Sequence, residues 1–273
     1  MRIITLTDQI GRTITLPSPA RRIISLVPSQ TELLYDLGLS EEVVGITRFC
    51  VHPGQWFRQK TRVGGTKDLK IDLIRSLSPD LVLANREENE KHQVEALQAI
   101  CPIWTSDVKN SKDAYEMIHS VGQLTGRENE ASALVSDIHA AFQSLGNADP
   151  LNCLYLVWKN PYMAAGGDTF ISHMLEQAGF RNMLAGHSRY PILDETDILS
   201  LEPAVLLLSS EPYPFRDKDL AELQGKLPQT RILLADGEMF SWYGSRMLQA
   251  PGYFRQLRMA AGKQGEPNYP FRH

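Results

Sequence analysis

The order of predicted strands and helices constrains the fold of this chain more than any other feature of its sequence. Before Asp113, apolar runs of strand length alternate with single helical segments, and the same alternation resumes after Leu145. Between these two residues the sequence has helical periodicity and no strand pattern. Strands that alternate with single helices favour a parallel sheet covered by helices. The sequence therefore predicts an α/β protein with two lobes and a helical stretch between them.

Local patterns predict where individual elements lie. A hairpin is predicted over Ile3–Leu16, with its turn at Gln9–Gly11. The β-branched run Arg22–Val27 is typical of a strand that is buried on both faces. Ser29 and Glu32 have the spacing of a capping box and predict the beginning of the next helix. The later strands are predicted over Val43–Ile46, Leu81–Ala84, Pro102–Thr105, Asn152–Trp158, Ala204–Leu208 and Arg231–Ala235.

Two short patterns occur in the same order on both sides of the helical stretch. Leu34–Gly38 resembles Leu175–Gly179, and each has the pattern of a helix that ends at a glycine. Ile74–Pro79 resembles Ile198–Pro203, and each is followed by a short apolar run. This internal similarity predicts an N-terminal α/β lobe over residues 1–125, a linking helix over 126–147 and a C-terminal α/β lobe over 148–273. We expect a ligand cleft where the lobes face each other.

Composition and missing motifs exclude several classes of function. The formal net charge of -4 gives no reason to expect a nucleic-acid partner, because such proteins concentrate Lys and Arg. No apolar run approaches the roughly 20 residues that a membrane-spanning helix needs. No G-x-G-x-x-G follows a strand, and G-x-x-x-x-G-K-[ST], G-x-S-x-G and H-E-x-x-H are missing. The sequence therefore offers no catalytic residue, no purpose-built metal site and no catalytic cofactor.

The N-terminus and the cysteines bear on the cellular compartment. Arg2–Leu6 runs directly into Thr7–Gln9 without the longer apolar stretch of a secretory signal. The chain is accordingly cytoplasmic, or its signal was removed, or its true start lies upstream. Cys50, Cys101 and Cys153 are odd in number and widely spaced. They predict small buried hydrophobic side chains and no disulfide framework.

Loops rich in aromatic and basic side chains follow several predicted strands. In open α/β sheets, ligands bind outside the carboxyl ends of the strands. Rigid aromatic faces with a few fixed polar groups suit a large, partly planar ligand. The candidate ligand-binding residues in these loops are His52, Asn85, Arg86, Trp158, Tyr190, Phe240, Trp242, Tyr243 and Arg246.

Three segments resemble a known family. Thr7–Pro17, Arg22–Gly38 and Leu77–Val82 are similar to the class III periplasmic binding proteins for iron-siderophores, haem and cobalamin, and the resemblance covers nearly the whole chain. The resemblance implies two Rossmann-like lobes with mainly parallel sheets, joined by one long α-helix, which is the helical-backbone metal-receptor type. It also implies little hinge motion on binding, since a helix resists bending.

Within the family, the chain most resembles the cobalamin-binding branch. Cys50–Pro53, Val63–Thr66, Gly166–Ile171 and Tyr190-Pro191 carry this resemblance. His52 stands where the branch has an aromatic residue, and Thr66 stands where it can have a tryptophan. By position, His52, Tyr190 and the loop from Phe240 to Tyr243 are implied to face the ligand.

The resemblance also implies a role and partners. The chain would be the non-enzymatic, monomeric, periplasmic component of an ABC importer, capturing cobalamin or cobinamide and delivering it to a permease with its ATPase. Asp72 and Glu195 are the candidate carboxylates for docking to the permease, although carboxylates also stabilise helix N-termini. One alternative is an iron-siderophore or haem binder, with His52 or Tyr190 as an axial ligand. Another is a cytoplasmic corrinoid-handling or salvage protein.

Overall fold

The computed structural model describes residues 2–146 and 149–262, which divide into two units. The first unit contains the described residues up to Ile138 together with Tyr243–Arg246. The second unit contains His139–Trp242 and the described residues from Met247 onward. Each unit has its own, mainly parallel sheet with helices, so the predicted α/β class is confirmed.

The first unit begins with the predicted hairpin, formed by β1 (Arg2–Thr7) and β2 (Thr13–Ser18). Its sheet consists of β3 (Ile23–Ser25), β4 (Val43–Ile46), β5 (Thr61–Arg62), β6 (Leu81–Asn85) and β7 (Ile103–Ser106). All pairs in the sheet are parallel, in the order β5-β4-β3-β6-β7. Every residue of β3 and β6 is buried, as expected for central strands of a parallel sheet.

The helices up to residue 143 are α1 (Pro28–Asp36), α2 (Gly54–Gln59), α3 (Ile71–Ser76), α4 (Lys91–Leu97), α5 (Ser111–Thr125) and α6 (Glu128–Gln143). The predicted capping box at Ser29 is wrong, because the N-cap of α1 is Val27, two residues earlier, and the helix begins at Pro28. Pro28 explains the shift: its ring fixes a helical φ at the first position of a helix and it has no N–H that needs a partner. α5 and α6 form the predicted strandless stretch and are separated at Gly126, a left-handed C-cap.

The sheet of the second unit consists of β8 (Leu151–Trp158), β9 (Tyr162–Ala164), β10 (Phe180–Asn182), β11 (Ile192–Leu193), β12 (Val205–Ser209) and β13 (Arg231–Ala235). The order is β11-β9-β8-β12-β13, and β10 also pairs with β8. β10 and β12 are parallel to β8, whereas β9 is antiparallel to it. The helices are α7 (Phe170–Gln177), α8 (Glu195–Leu201), α9 (Asp217–Lys226), α10 (Glu238–Ser241) and α11 (Ala250–Gly262), with a 3-10 helix over Ser245–Leu248.

The internal similarity extends to the backbone angles. Gly38 after α1 has φ 75°, and Gly179 after α7 has φ 78°. After each glycine the chain forms a strand that pairs in parallel with an earlier strand, β4 beside β3 and β10 beside β8. Ser78 and Glu202 each stand one residue before a proline and have φ of 46° and 44°. The two units therefore share local backbone geometry as well as sequence pattern.

Each unit has a cluster of buried apolar side chains that come from its strands and helices. The three cysteines are free and buried, as the sequence analysis predicts. No helix in the described ranges is long and apolar enough to cross a membrane. The described residues also contain no group of three or more His, Cys, Asp or Glu side chains arranged to hold a metal ion.

Candidate functional site

Each sheet has a topological switch point at its carboxyl edge. In the first unit the chain proceeds from β3 to β4 on one side and from β6 to β7 on the other, so the crevice lies outside the ends of β3 and β6. In the second unit the corresponding strands are β8 and β12. Open α/β sheets bind ligands at such points. The loops after these four strands are therefore the candidate site regions of the two units.

Buried polar side chains form a hydrogen-bond network at the switch point of the first unit. Asn85 Nδ2 donates to the Ser106 Oγ at 3.0 Å, and Gln30 Nε2 donates to the same oxygen at 2.6 Å. Asn85 Oδ1 accepts from the backbone N–H groups of Glu87 and Glu88 at 2.8 and 3.1 Å. Asn85 is buried, so its amide shapes the loop that follows β6. Asn85 therefore ends its strand at the carboxyl edge of the sheet and also stabilises the loop that follows.

The loop after β4 exposes apolar surface beside the predicted His52. Phe49 is 48% exposed and Val51 is 43% exposed, and the Arg48 guanidinium lies 5.1 Å from the Phe49 ring centroid. His52 is half-buried and precedes a cis proline. Sequence reasoning missed Phe49 as a candidate, although its position two residues after a buried threonine at a strand end could have suggested it. Arg86, also predicted, is exposed and donates to Asp107 Oδ2 at 2.7 Å.

Two predicted residues from late in the sequence belong to the first unit. Tyr243 is buried, and its hydroxyl lies 3.5 Å from Glu88 Oε1. Burial, followed by the negative charge of Glu88, raises the pKa of Tyr243 well above its usual value. Arg246 donates from Nε and Nη2 to the two carboxylate oxygens of Glu32 at 2.9 and 2.6 Å. The structure therefore brings Tyr243 and Arg246 into the same unit as His52, Asn85 and Arg86.

The switch point of the second unit carries a pair of aromatic side chains, one exposed and one half-buried. Trp158 ends β8 and is 39% exposed, and its ring packs edge-on against Tyr213 with centroids 5.7 Å apart. Tyr213 follows β12 closely, and its N–H donates to Val157 O at 3.3 Å, which continues the β8–β12 pairing past the strand ends. Sequence reasoning found Trp158 but not Tyr213, because contact between them requires β12 to be the neighbour of β8.

Two further aromatic candidates of this unit, Phe240 and Trp242, are buried. Phe240 has 0% exposure, and its ring centroid lies 5.1 Å from that of Tyr155 and 4.9 Å from that of Phe254. Trp242 is 7% exposed and donates from Nε1 to Glu211 Oε1 at 2.9 Å. Burial raises the pKa of Glu211, an effect that the hydrogen bond from Ser241 opposes. Phe240 and Trp242 therefore stabilise the packing of the second unit through these contacts.

The glycine pair Gly166-Gly167 positions the segment that carries Tyr190. The N–H groups of Gly166 and Gly167 donate to Arg189 O at 2.8 Å and His187 O at 2.7 Å. A Cβ on Gly167 would stand 2.0 Å from the carbonyl oxygen of Ala185, so no side chain fits there. Tyr190 itself is half-buried. The glycine pair is therefore required because another stretch of backbone lies so close to it. This structural role agrees with the absence of a phosphate-binding G-x-G-x-x-G motif at this position.

The two candidate docking carboxylates lie in corresponding helices of the two units. Asp72 is in the first turn of α3, and its side chain is 96% exposed and paired with Arg75 at 2.6 Å. Glu195 begins α8, and its carboxylate is paired with Lys226 at 2.6 Å. α3 and α8 are the helices that precede Pro79 and Pro203 in the repeated pattern. Both carboxylates also occupy helix N-termini, where negative charge is favoured.

A groove also lies elsewhere in the first unit. It has a volume of about 620 Å³ and is lined by residues 12–15 and 98–103. None of the predicted ligand-binding residues lines it. The groove lies beside the hairpin, and we assign it no part in the site.

Comparisons with known proteins agree with the fold. A model of the periplasmic binding protein family matches residues 23–231 of the chain. An uncharacterised ABC transporter substrate-binding lipoprotein of Bacillus subtilis is 26% identical over 217 residues, which cover 75% of this chain and 68% of that protein. A vitamin B12-binding protein of Vibrio campbellii is 24% identical, covering 70% of this chain and 71% of its own length. The solved structure of a periplasmic heme-binding protein from a Roseiflexus species matches with a TM-score of 0.75 and 22% identity, covering 89% of this chain and 98% of that one.

Proposed function

The chain belongs to the periplasmic binding protein family, the substrate-binding components of ABC transporters, and on that premise we propose that it captures a corrinoid. Members of this family bind small molecules for transport and are not enzymes. The proposed ligand is cobalamin or cobinamide, delivered to a permease with its ATPase. The similarity to a vitamin B12-binding protein supports a corrinoid. The exposed Trp158, packed against the half-buried Tyr213, is the observation in this chain that carries the proposal.

Aromatic faces suit a corrin ring because the ring is large and partly planar, so that it buries apolar area by lying on them. Trp158 offers such a face at the switch point of the second unit. In the first unit, Phe49 and Val51 expose apolar area next to His52. We propose that Trp158 contacts the ring together with Tyr190, which belongs to the same unit.

The buried candidates have a different proposed role. Asn85, Phe240, Trp242 and Tyr243 are each less than a tenth exposed. We propose that they hold the loops that present the contact residues, with a polar contact to the ligand supplied by Arg86. Arg246 fixes its own segment through Glu32.

The proposed docking to the permease uses one carboxylate in each unit. Asp72 extends fully into solvent, whereas Glu195 is held by Lys226. Replacing either by arginine should lower corrinoid uptake by cells that depend on this protein and leave corrinoid affinity in solution unchanged. A loss of affinity would place the replaced residue in the ligand site and contradict the docking role.

We propose that the protein is a monomer and that it acts outside the cytoplasmic membrane.

Titration of the purified protein with cyanocobalamin and with dicyanocobinamide tests the proposal. Tryptophan fluorescence should be quenched by both, since Trp158 lies at the proposed site. Dissociation constants below about 1 μM are expected, which corresponds to roughly 8 kcal/mol of binding free energy. Binding no tighter than about 100 μM for either corrinoid would overturn the proposed ligand.

A haem or iron-chelate ligand is the second candidate. The structural similarity to a heme-binding protein favours it, as do His52 and Tyr190, whose side chains can coordinate iron. Titration with hemin distinguishes it, because an axial histidine or tyrosine shifts the Soret band and a merely adsorbed haem does not. A shift that disappears in His52→Ala or Tyr190→Phe, together with weak corrinoid binding, would establish this candidate instead.

A further inference from the structure

At the carboxyl edge of the second unit, the carboxylate of Glu211 accepts side-chain hydrogen bonds through only one of its two oxygens. Its Oε1 accepts from Ser241 Oγ at 2.8 Å and from Trp242 Nε1 at 2.9 Å. Both side chains therefore donate to the same carboxylate oxygen. Oε2 accepts no hydrogen bond from the residues that the structure describes, and it is not sealed from solvent. The side chain thus has a fixed orientation and one open acceptor.

Glu211 lies at the switch point of its sheet. It stands two residues after the end of β12 and two residues before Tyr213, whose ring packs against the exposed Trp158. β12 is the strand that pairs with β8, so the open oxygen and the aromatic pair belong to the same edge of the same sheet. That edge is where a ligand of an open α/β sheet binds.

The charges around this edge disfavour a ligand carboxylate. Asp236 and Glu238 follow β13 and add negative charge beside Glu211. The nearest basic residue along the chain from Trp158 is Lys159, whose ammonium is already paired with Asp219 at 2.8 Å and Glu222 at 2.7 Å. Its side chain is only 13% exposed. Lys159 therefore cannot offset a second anion without leaving two carboxylates unpaired.

We propose that Glu211 is a specificity-determining residue that selects ligands presenting amide N–H groups over ligands presenting carboxylates. This inference rests on the function proposed above and narrows it. A corrinoid with amide side chains can donate to the open oxygen, and a hydrogen bond to a charged acceptor is among the stronger kinds. A carboxylate at the same place meets the like charge of Glu211.

The test uses two corrinoids that share one ring. Dicyanocobinamide carries amide side chains, and dicyanocobyrinic acid carries carboxylates in their place. We expect the wild-type protein to bind the amide form at least about ten-fold more tightly, as one charge-assisted hydrogen bond would give. Equal affinity for the two corrinoids would contradict the proposal.

Glu211→Gln is the informative variant because it changes the open atom from an acceptor to a donor. The glutamine oxygen can keep the hydrogen bonds from Ser241 and Trp242, which leaves the NH2 group where Oε2 was. We expect the preference for the amide form to fall by about ten-fold or more, because the acid form gains a donor whereas the amide form exchanges one hydrogen bond for another. The thermal midpoint should change little, which separates this effect from a structural one.

Glu176→Gln is the matched control. Glu176 is exposed near the end of α7, in the same unit, and the change removes the same charge. It should leave the ratio of the two affinities as in the wild-type protein. If Glu211→Gln and Glu176→Gln give the same ratio, Glu211 does not face the ligand, although the corrinoid function still stands. If the wild-type protein binds neither corrinoid, the proposed ligand fails and the selectivity fails with it.

Discussion

Arg246 holds both carboxylate oxygens of Glu32, although 214 positions separate the two residues in the sequence. The side chains are 11% and 14% exposed, so the ion pair is largely removed from water. Through this contact and that of Tyr243 with Glu88, the segment Tyr243–Arg246 becomes part of the first unit. The segment is flanked in sequence by residues of the second unit.

Arg246→Met should destabilise the first unit strongly. The methionine keeps much of the packing volume but leaves the Glu32 carboxylate buried without its partner. Removing one partner of a buried ion pair costs about 3–5 kcal/mol of unfolding free energy. Denaturant unfolding measures the loss. Arg86→Met is the control, since the Arg86 side chain is 61% exposed in its pair with Asp107 and should cost less than about 1 kcal/mol.

The cost of Arg246→Met should depend on pH. Burial raises the pKa of Glu32, and Arg246 opposes that rise. A carboxyl whose pKa is higher in the folded state favours folding below its unfolded pKa of about 4.3 and loses that contribution as pH rises through the folded value. Without Arg246 the folded pKa is higher still. The difference in unfolding free energy from wild type should therefore be small at about pH 4 and complete at about pH 7. A difference that does not vary with pH would mean that Glu32 is solvated in the variant.

Trp158→Ala should weaken corrinoid binding by about 1–3 kcal/mol, the range for loss of an aromatic stacking contact. Because Trp158 is 39% exposed and packs mainly on Tyr213, the thermal midpoint should fall only slightly. Fluorescence or calorimetric titration gives the affinity. Met259→Ala is the control, an exposed apolar side chain of α11, and it should leave affinity unchanged. Wild-type affinity in Trp158→Ala would remove the central support for the proposed site.

Trp242→Phe should lower the unfolding free energy by about 1–2 kcal/mol, because it removes the Nε1 donor to the buried side of Glu211. Trp242→Ala should cost about 3–5 kcal/mol, since it also leaves a cavity. Thermal denaturation provides both values. If Trp242→Ala instead lowers ligand affinity by about 1–3 kcal/mol and leaves stability intact, the indole stacks on the ligand and is not part of the core.

Gly38→Ala and Gly179→Ala should each lower stability by about 1 kcal/mol, because φ is 75° and 78° at these positions and an alanine Cβ is strained there. An alanine at Gly38 would meet no atom within 4 Å, so its cost measures backbone strain alone. Gly225→Ala is the opposite case, near the end of α9 with open space around it, and should stabilise by about 0.5–1 kcal/mol. Denaturant unfolding should give a lower unfolding free energy for Gly38→Ala and Gly179→Ala and a higher one for Gly225→Ala.

Much of the secondary structure could be predicted from the sequence. β4 and β13 have the predicted bounds, and β8 and β12 differ by a residue at their ends. These strands are apolar runs bounded by turn residues, which is a local pattern. β10 and β11 were missed because they are two or three residues long and show no periodicity. α2, which has only six residues, was likewise not predicted.

The sequence by itself determined the α/β class, the strandless stretch and the repeated helix–glycine and helix–proline patterns, because all of these follow from residues close together in the chain. Only the tertiary structure decided which candidates are exposed, since burial depends on side chains from distant elements. Trp158 and Trp242 are both tryptophans in aromatic loops, yet one is open to solvent and the other is held against Glu211. Likewise, nothing local to Arg246 indicates that its partner is Glu32. Such contacts arise from packing over long sequence distances, which local periodicity does not encode.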